Sequence, residues 1–129
     1  MLEVDVVRIS VIVPIYNVKL YIERCVRSLM EQTLENIEFI FVNDCTPDDS
    51  MDILHYVLEE YPKRREQIKI IEHETNRGIS AVRNTGLKNA TGQYIIYCDS
   101  DDWVEKNMYE KLLVKALETS ADIVGCDFF

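Results

Sequence analysis

The chain has 129 residues, the length of one domain, and its 47% hydrophobic and 29% charged residues are typical of a globular protein. Lysine and arginine number 14 against 23 aspartate and glutamate residues, so the formal net charge is −9. This balance argues against nucleic-acid binding and against an anionic-membrane surface, because both need clustered positive charge. An acidic chain that binds a phosphate-rich ligand would need a cation to help.

The first half of the chain alternates apolar runs with amphipathic stretches. Residues 8–14 (RISVIVP) predict a strand that ends at Pro14, since proline lacks the N–H that a strand ladder needs. Residues 20–30 carry apolar side chains at helical spacing, and residues 37–42 (IEFIFV) predict a second buried strand. The turn formers of residues 43–50 then lead into a helix over 51–61, with Asp49 or Ser50 as its N-cap.

The second half repeats this alternation. Strands are predicted over 68–72, 93–98 and 122–127, with helices over 78–89 and 107–120 between them. In the first of these helices Ile79, Val82 and Gly86 are expected to face inward. Buried strands that alternate with helices indicate an α/β fold, with a mostly parallel sheet and helices on both faces. Because such a sheet would not normally end at Phe129, we expect residues 1–129 to be part of a longer protein.

The cysteines indicate a reducing compartment. Cys25, Cys45, Cys98 and Cys126 form no CxxC pair, and three of them lie in apolar contexts, so buried free thiols are favoured over metal ligands. Neither a signal peptide nor an apolar run of membrane-spanning length is found in the sequence. We therefore expect a cytoplasmic location, either free or at the inner face of the membrane through the rest of a longer protein.

Polar residues gather where the predicted strands end, and open α/β sheets bind ligands at the carboxyl ends of their strands. Tyr16 and Asn17 follow the first strand, and Asn43 and Asp44 follow the second. Residues 76–78 follow the third strand, and the acidic run 99–102 (DSDD) follows the fourth. This convergence points to a ligand site more strongly than any single residue does.

The acidic run is the sharpest feature of the sequence. Its three carboxylates, Asp99, Asp101 and Asp102, repel one another unless a cation, raised pKa values or good solvation relieves them. Mg²⁺ or Mn²⁺ is the natural partner of such oxygen ligands. If the strand continues, Asp99 and Asp101 point the same way and could hold one ion and a ribose hydroxyl. The alternative is that Asp101 and Asp102 cap the following helix.

Several other residues have both a ligand-binding and a structural interpretation. Asp44 could accept a hydrogen bond from a base, and Tyr16 could stack on one. Arg77 and Arg83 could neutralise phosphate, although surface arginines are common. Gly78 and Gly86 would permit close backbone approach or tight helix–sheet packing, while His55 and His73 are expected to be structural, because neither has a second histidine or cysteine at ligand spacing.

Four segments resemble, in order, the motifs of family 2 glycosyltransferases with the GT-A fold. They are residues 9–17 (ISVIVPIYN), 39–50 (FIFVNDCTPDDS), 76–87 (NRGISAVRNTGL) and 94–103 (YIIYCDSDDW). The resemblance covers nearly the whole chain and implies the Rossmann-like nucleotide-binding half of such an enzyme. It further implies an inverting transfer of a sugar from a nucleotide-sugar, usually a UDP-sugar, to a hydroxyl of a saccharide, lipid-linked or other acceptor.

The resemblance also implies roles for individual residues. Pro14 and Tyr16 line the base, and Asp44 bonds it. Asp99 and Asp101 match the DxD carboxylates, which handle the ribose and a Mn²⁺ or Mg²⁺ ion on the diphosphate. Arg83 matches a basic residue of the third motif. The full nucleotide-binding set predicted here is Pro14, Tyr16, Asn17, Asp44, Arg77, Arg83, Asp99 and Ser100, with Asp99 and Asp101 as metal ligands.

The chain departs from the family pattern in two positions and stops before one part of it. Asn43 stands where the family often has an acid, and Cys45 stands where it often has glycine. In the family the catalytic base and most acceptor contacts lie beyond the DxD half, so we expect the base beyond Phe129. A noncatalytic nucleotide-binding or interaction domain on the same fold is the alternative. A receiver domain is disfavoured, because it needs an acid pair where this chain has Tyr16 and Asn17.

Overall fold

The structure is a computed structural model that describes residues 6–120. Its strands are β1 (Ile9–Ile15), β2 (Ile37–Asn43), β3 (Ile68–Glu72) and β4 (Tyr94–Tyr97). Its helices are α1 (Ile22–Met30), α2 (Ser50–Leu58), α3 (Ile79–Lys88) and α4 (Met108–Thr119), with a 3₁₀ helix at Pro62–Gln67. The strand predicted over 122–127 and Cys126 lie outside the described residues.

The four strands form one parallel sheet in the order β3-β2-β1-β4. β1 and β2 pair along their whole length, from Ile9 opposite Ile37 to Ile15 opposite Asn43. Every residue of β2 is buried, as expected for a central strand with both faces covered. The α/β fold predicted from the sequence is confirmed.

Side chains that alternate along the strands build a core on each face of the sheet. On one face Val11, Val13 and Phe39 pack with the buried sides of α1 and α2 and with Tyr109 of α4. On the other face Ile12, Ile40 and Val42 pack against Val82 of α3. Helices therefore cover both faces, and the strand ends between them are left for the connecting loops.

Helix α3 lies very close to the sheet at Gly86. A Cβ atom built on Gly86 would lie 2.4 Å from Ile12 Cγ2, so only glycine fits this contact. The tight packing predicted for Gly86 is confirmed, as is the inward position of Val82. The inward position predicted for Ile79 is wrong: this first residue of α3 is 47% exposed, and the buried residues of the helix are Val82 and Gly86.

Pro14 lies inside β1 instead of ending it, contrary to the prediction. β1 pairs with β4 only as far as Ile12, and the last bond on that side joins Cys98 N to Ile12 O at 3.0 Å. The nitrogen of Pro14 points toward this same side, past the end of the β4 ladder, so the missing N–H costs no hydrogen bond. Proline is tolerated here because the neighbouring strand is short.

The helix ends also differ slightly from the sequence pattern. α1 begins at Ile22, because the N–H groups of Tyr21 and Ile22 both donate to Val18 O in a preceding turn. α2 ends at Leu58, and tighter turns lead from there to Pro62, where the 3₁₀ helix begins. Among residues 6–120, no helix has the length and apolar character needed to cross a bilayer.

Candidate functional site

The loops that follow the four strands begin side by side at one edge of the sheet. Asp44 N donates to Ile15 O at 3.0 Å, which joins the starts of the first two loops. His73 N donates to Asn43 O at 2.9 Å and brings in the third loop. Cys98 N, bonded to Ile12 O, places the fourth loop on the other side of β1. The structure thus places the predicted polar segments at one carboxyl edge, where α/β folds bind ligands.

Asp44 is the buried centre of this edge. Its Oδ1 accepts hydrogen bonds from Arg77 N at 2.9 Å and from His73 Nδ1 at 2.8 Å, and its Oδ2 accepts one from Gly78 N at 2.8 Å. Burial opposes its ionisation, but these hydrogen bonds and the nearby imidazole outweigh burial and lower the pKa of Asp44. Each carboxylate oxygen has two lone pairs, so Oδ2 retains one place for a further donor.

His73 has a structural role, as the sequence predicted, and it also supports Asp44. An ionised carboxylate can only accept a hydrogen bond, so His73 Nδ1 carries a proton and donates a hydrogen bond to Asp44. On the other side of the ring, Nε2 lies 2.8 Å from Thr85 Oγ1 in α3. The imidazole therefore connects the end of β3 to α3 and holds the Asp44 carboxylate between them.

Gly78 has φ = 93°, a conformation that side-chain-bearing residues rarely adopt, and it occupies the N-cap position of α3. Nothing lies within 4 Å of the position of a Cβ atom there, so the backbone angle and not crowding requires glycine. Its N–H donates to Asp44 from a distance of 34 residues in sequence. Asp44 thus provides the negative charge that a helix N-terminus favours.

Hydrogen bonds join the loop after β2 to the loop after β1. Asn17 N donates to Thr46 Oγ1 at 2.9 Å and Val18 N donates to Ser50 Oγ at 3.2 Å. Asp49, one of the two predicted caps, occupies the N-cap position of α2 but makes no side-chain cap hydrogen bond. Ser50, the other candidate, is the first residue of the helix, and its hydroxyl is used between the loops.

The structure shows what Asn43 and Cys45, the two departures from the family pattern, do in this turn. Asn43 donates from Nδ2 to Glu72 Oε1 at 3.2 Å, a bond that an aspartate at this position could not make. Asn43 also accepts a hydrogen bond from Thr46 N at 2.9 Å, which shapes the turn. Cys45 has φ = 59°, the left-handed conformation that glycine adopts at lower cost. The turn therefore forms around Cys45 with some backbone strain.

The acidic run forms a compact cluster beyond β4. Oxygen atoms of Asp99, Asp101 and Asp102 all lie within 4.8 Å of one another, and all three residues are exposed. The cause is a turn, closed by a 3.0 Å bond from Asp102 N to Asp99 O, and not the strand geometry that the sequence suggested, since β4 ends at Tyr97. Partial burial and then the charges of Asp101 and Asp99 raise the pKa of Asp102.

The structure excludes one interpretation of this region. α4 begins at Met108, with Asn107 at its N-cap position, so Asp101 and Asp102 do not cap it and that interpretation is wrong. Within the described part of the chain, these aspartates are the one group of potential metal ligands with suitable spacing. Three hard oxygen donors of this kind suit Mg²⁺ or Mn²⁺.

The remaining predicted nucleotide-binding residues lie around this edge. Pro14 is the next-to-last residue of β1, and Tyr16, which directly follows the strand, is 42% exposed. The guanidinium carbon of Arg83 lies 5.3 Å from the ring centroid of Tyr97, at the end of β4. Arg77 is held through its backbone N–H, while Ser100 is buried beside exposed neighbours. Their contacts with a nucleotide stay predictions.

Contacts that were not predicted from the sequence hold the acidic cluster and the segment after it against the rest of the fold. Cys25 and Cys98 are buried free thiols, as predicted, and their sulfur atoms lie 3.8 and 3.7 Å from Asp99 O. Cys45, by contrast, is exposed. The guanidinium carbon of Arg24 lies 4.3 Å from the ring centroid of Trp103, which ties α1 to the segment after the cluster. Only the aromatic residue directly after the acidic run hinted at such a contact.

Comparison with known proteins decides the family. The model of the family described as glycosyl transferase family 2 matches residues 10–129. The chain belongs to glycosyltransferase family 2. The resemblance expected from the four motifs is therefore confirmed.

Relatives of this family 2 domain are similar over nearly its whole length. It is 48% identical over 121 residues to the uncharacterised glycosyltransferase EpsJ of Bacillus subtilis, covering 94% of this chain and 34% of EpsJ. It is 43% identical over 122 residues to the glycosyltransferase GlyA of Streptococcus pneumoniae, covering 95% of this chain and 17% of GlyA. The chain thus spans about a third or less of the length of these relatives.

Solved structures of glycosyltransferases share the fold. The chain superposes on Staphylococcus aureus TarS residues 1–349 in complex with UDP with a TM-score of 0.75 and 32% identity, over 86% of this chain and 32% of that structure. It superposes on the mannosyltransferase PcManGT of Pyrobaculum calidifontis, in complex with GDP-Man and Mn²⁺, with a TM-score of 0.69 and 28% identity, over 74% and 28% of the two chains. The fold of this family 2 domain is the GT-A fold.

Proposed function

We propose that residues 1–129 are the donor-binding GT-A domain of a longer glycosyltransferase that uses a UDP-sugar. The enzyme transfers the sugar, with inversion, to a hydroxyl of a saccharide, lipid-linked or other acceptor. The observation that carries this proposal is the cluster of Asp99, Asp101 and Asp102 at the carboxyl edge of the sheet. In a chain of net charge −9, such a cluster suits an anionic donor that is bound through a cation.

Asp99 and Asp101 would hold Mn²⁺ or Mg²⁺, because their exposed carboxylates provide the hard oxygen ligands that these ions prefer. When bound, the ion stabilises negative charge on the departing nucleoside diphosphate. Asp99 would also accept a hydrogen bond from a ribose hydroxyl. The mannosyltransferase neighbour, in complex with GDP-Man and Mn²⁺, supports this assignment.

The other nucleotide contacts come from the first three loops. Asp44 accepts a hydrogen bond from the base at the remaining lone pair of Oδ2, since its other hydrogen bonds come from the backbone N–H groups of Arg77 and Gly78. Tyr16, exposed at the end of β1, stacks on the base. Pro14 and Asn17 line the same side, and Arg77, Arg83 and Ser100 complete the set toward the phosphates. TarS in complex with UDP supports uracil as the base.

The catalytic base that deprotonates the acceptor hydroxyl is expected in a segment beyond Phe129. The chain spans 34% of EpsJ and 17% of GlyA, which supports the view that acceptor-binding segments belong to the rest of such enzymes. We therefore expect sugar transfer by the full-length protein and none by residues 1–129 alone. We also propose a cytoplasmic location, which agrees with the free thiols of Cys25 and Cys98.

Calorimetric titration of the full-length protein with UDP, with and without Mn²⁺, tests the donor and the metal together. We expect binding that depends on Mn²⁺, and a loss of affinity of about tenfold or more in Asp101→Ala, because a metal ligand has been removed. Glu105→Ala is the matched control: it removes an exposed carboxylate from the same loop but outside the cluster. Equal affinity in all these titrations would rule out the metal bridge. Metal-dependent UDP binding without any transfer would favour a noncatalytic nucleotide-binding domain.

A further inference from the structure

Three consecutive backbone N–H groups after β1 donate to side chains of the loop after β2. Asn17 N donates to Thr46 Oγ1 at 2.9 Å, Val18 N to Ser50 Oγ at 3.2 Å, and Lys19 N to Asp48 Oδ2 at 3.3 Å. These groups are separated by 29 to 32 residues in sequence, so the contacts join two distant loops. Together they hold the segment that directly follows Tyr16.

The third acceptor, the carboxylate of Asp48, also accepts hydrogen bonds from the other two, the hydroxyls of Thr46 and Ser50. Asp48 Oδ1 accepts from Thr46 Oγ1 at 2.6 Å, from Ser50 Oγ at 2.6 Å and from Ser50 N at 3.1 Å, while Oδ2 accepts from Lys19 N. Three of these bonds are on Oδ1 and one is on Oδ2, and all four donors belong to the loop after β1, the loop after β2 or the first residue of α2. The carboxylate therefore joins the two loops.

The charge of Asp48 sets the direction of every hydrogen bond in the group. An ionised carboxylate can only accept, so the hydroxyls of Thr46 and Ser50 must both donate to it. Each hydroxyl has one proton, and its lone pairs are then free to accept from Asn17 N and Val18 N. In Asp48→Asn the amide oxygen can keep both hydroxyl bonds, but its NH₂ group then replaces Oδ2 and faces the N–H of Lys19, donor against donor.

The ionised form is strongly favoured. Burial opposes ionisation, but the hydrogen bonds from Ser50, Thr46 and Lys19 outweigh it and lower the pKa of Asp48 to about 2. The group therefore keeps the same hydrogen-bond directions across the pH range in which a cytoplasmic enzyme works.

The segment held in this way includes a left-handed residue. Asn17 has φ = 54°, an angle that asparagine tolerates better than most residues with a side chain. Cys45, on the opposing loop, has φ = 59°. The bonds around Asp48 hold the two loops, with these backbone angles, against each other.

We propose that Asp48 is a positioning residue of the nucleotide site, which holds Tyr16 and Asn17 in register with the Asp44 loop without touching the ligand. The inference rests on the proposed function, because it assumes that Tyr16 and Asp44 contact the base. Preorganised contacts of this kind strengthen ground-state and transition-state binding equally. Asp48 therefore sets the affinity for the donor and leaves the transfer step unchanged.

The test compares Asp48→Asn with Asp49→Asn in the full-length protein. Both changes remove one negative charge, but Asp49 makes no side-chain cap hydrogen bond and is exposed. We expect Asp48→Asn to raise the KM for the donor and the Kd for UDP about tenfold while kcat stays within about twofold. Asp49→Asn should behave as the wild type does.

A second pair of variants probes one bridge at a time and perturbs folding less. Thr46→Val keeps the side-chain shape and removes the hydroxyl that Asn17 N requires, whereas Thr46→Ser keeps the hydroxyl. We expect about a threefold rise in KM for Thr46→Val and little change for Thr46→Ser. If Asp48→Asn does not fold, this pair decides the question, and equal KM values for the two variants overturn the proposal.

Hydrogen exchange of the peptide that spans residues 16–20 provides a readout that does not depend on the nucleotide. In Asp48→Asn, exchange should become faster in this peptide and stay unchanged in β1. If wild type binds no nucleotide, the proposed function fails, but this measurement still tests the link between the loops. Unchanged exchange and an unchanged KM in Asp48→Asn would overturn the positioning role, as would a fall in kcat with KM unchanged.

Discussion

Replacement of Gly86 by alanine is the sharpest test of how α3 is seated on the sheet. The added methyl group would lie 2.4 Å from Ile12 Cγ2 and 3.0 Å from Ile12 Cγ1 and Cδ1, whereas carbon atoms prefer about 3.5–4.0 Å. Ile12 is fully buried, and its Cγ2 is attached to a β-branched carbon with little rotamer freedom. The helix must therefore move away from the sheet by about 1 Å.

The size of the effect follows from two opposing contributions. Overpacking of a rigid core site costs about 1–3 kcal/mol, and the stiff Ile12 contact puts this site at the upper end. Alanine in place of glycine inside a helix recovers about 1 kcal/mol. We expect Gly86→Ala to lower the free energy of unfolding by about 2 kcal/mol. The shift of α3 should also weaken nucleotide binding, since Gly78 at its start is bonded to Asp44.

Urea denaturation of the four proteins of a double-mutant cycle measures this. Ile12→Ala removes all three contacting atoms, so in that background Gly86→Ala should be neutral or stabilising by about 1 kcal/mol. A Gly86→Ala variant as stable as wild type would refute the packing argument. An equal cost in both backgrounds would show that the cost does not arise from contact with Ile12.

Three further predictions concern the end of β2 and the loop that follows it. Asn43→Asp would bring two carboxylates to the 3.2 Å separation now spanned by the Asn43–Glu72 bond, so stability at pH 7 should fall by about 1–2 kcal/mol, and the urea midpoint checks this. Cys45→Gly should raise the free energy of unfolding by up to about 1 kcal/mol, and with it the thermal midpoint, because glycine relieves a φ of 59°. A lower midpoint would contradict the assigned strain. Since the pKa of Asp48 falls from its ordinary 3.8 to about 2 on folding, its stabilisation is present above about pH 4 and is lost as the pH falls toward 2. After allowance for solvent screening this amounts to about 1 kcal/mol, and Asp48→Asn should flatten the acid limb of the pH–stability curve accordingly.

Much of the fold could be predicted from local pattern alone. The run IEFIFV of β2 has no polar side chain except Glu38, and such continuity is characteristic of a central parallel strand. The spacing of Val82 and Gly86 correctly predicted the face of α3 that meets the sheet. The acidic run after the fourth strand was equally visible, because three adjacent carboxylates need no tertiary information to be recognised.

The details of the site depended on which strands are neighbours. Glu38, the exception within β2, is buried and accepts hydrogen bonds from Ser10 and Thr91, which lie 28 and 53 residues away. The turn that gathers Asp99, Asp101 and Asp102 and the position of Pro14 both follow from the shortness of β4, which ends at Tyr97. No local pattern sets the length of a strand such as β4, because its pairing depends on the partner.

By itself the sequence determined the kind of protein: an acidic α/β domain of glycosyltransferase family 2 whose polar residues follow its strands. It could do so because strand, helix and turn preferences are local, and because four motifs stand in a recognisable order. Only the tertiary structure decided what each polar residue does. The order β3-β2-β1-β4 places the loop after β2 between those after β1 and β3. Asp44 and Asp48 of that central loop therefore bond to opposite neighbours, and hydrogen bonds across some 30 residues of chain are set by strand adjacency and not by local sequence.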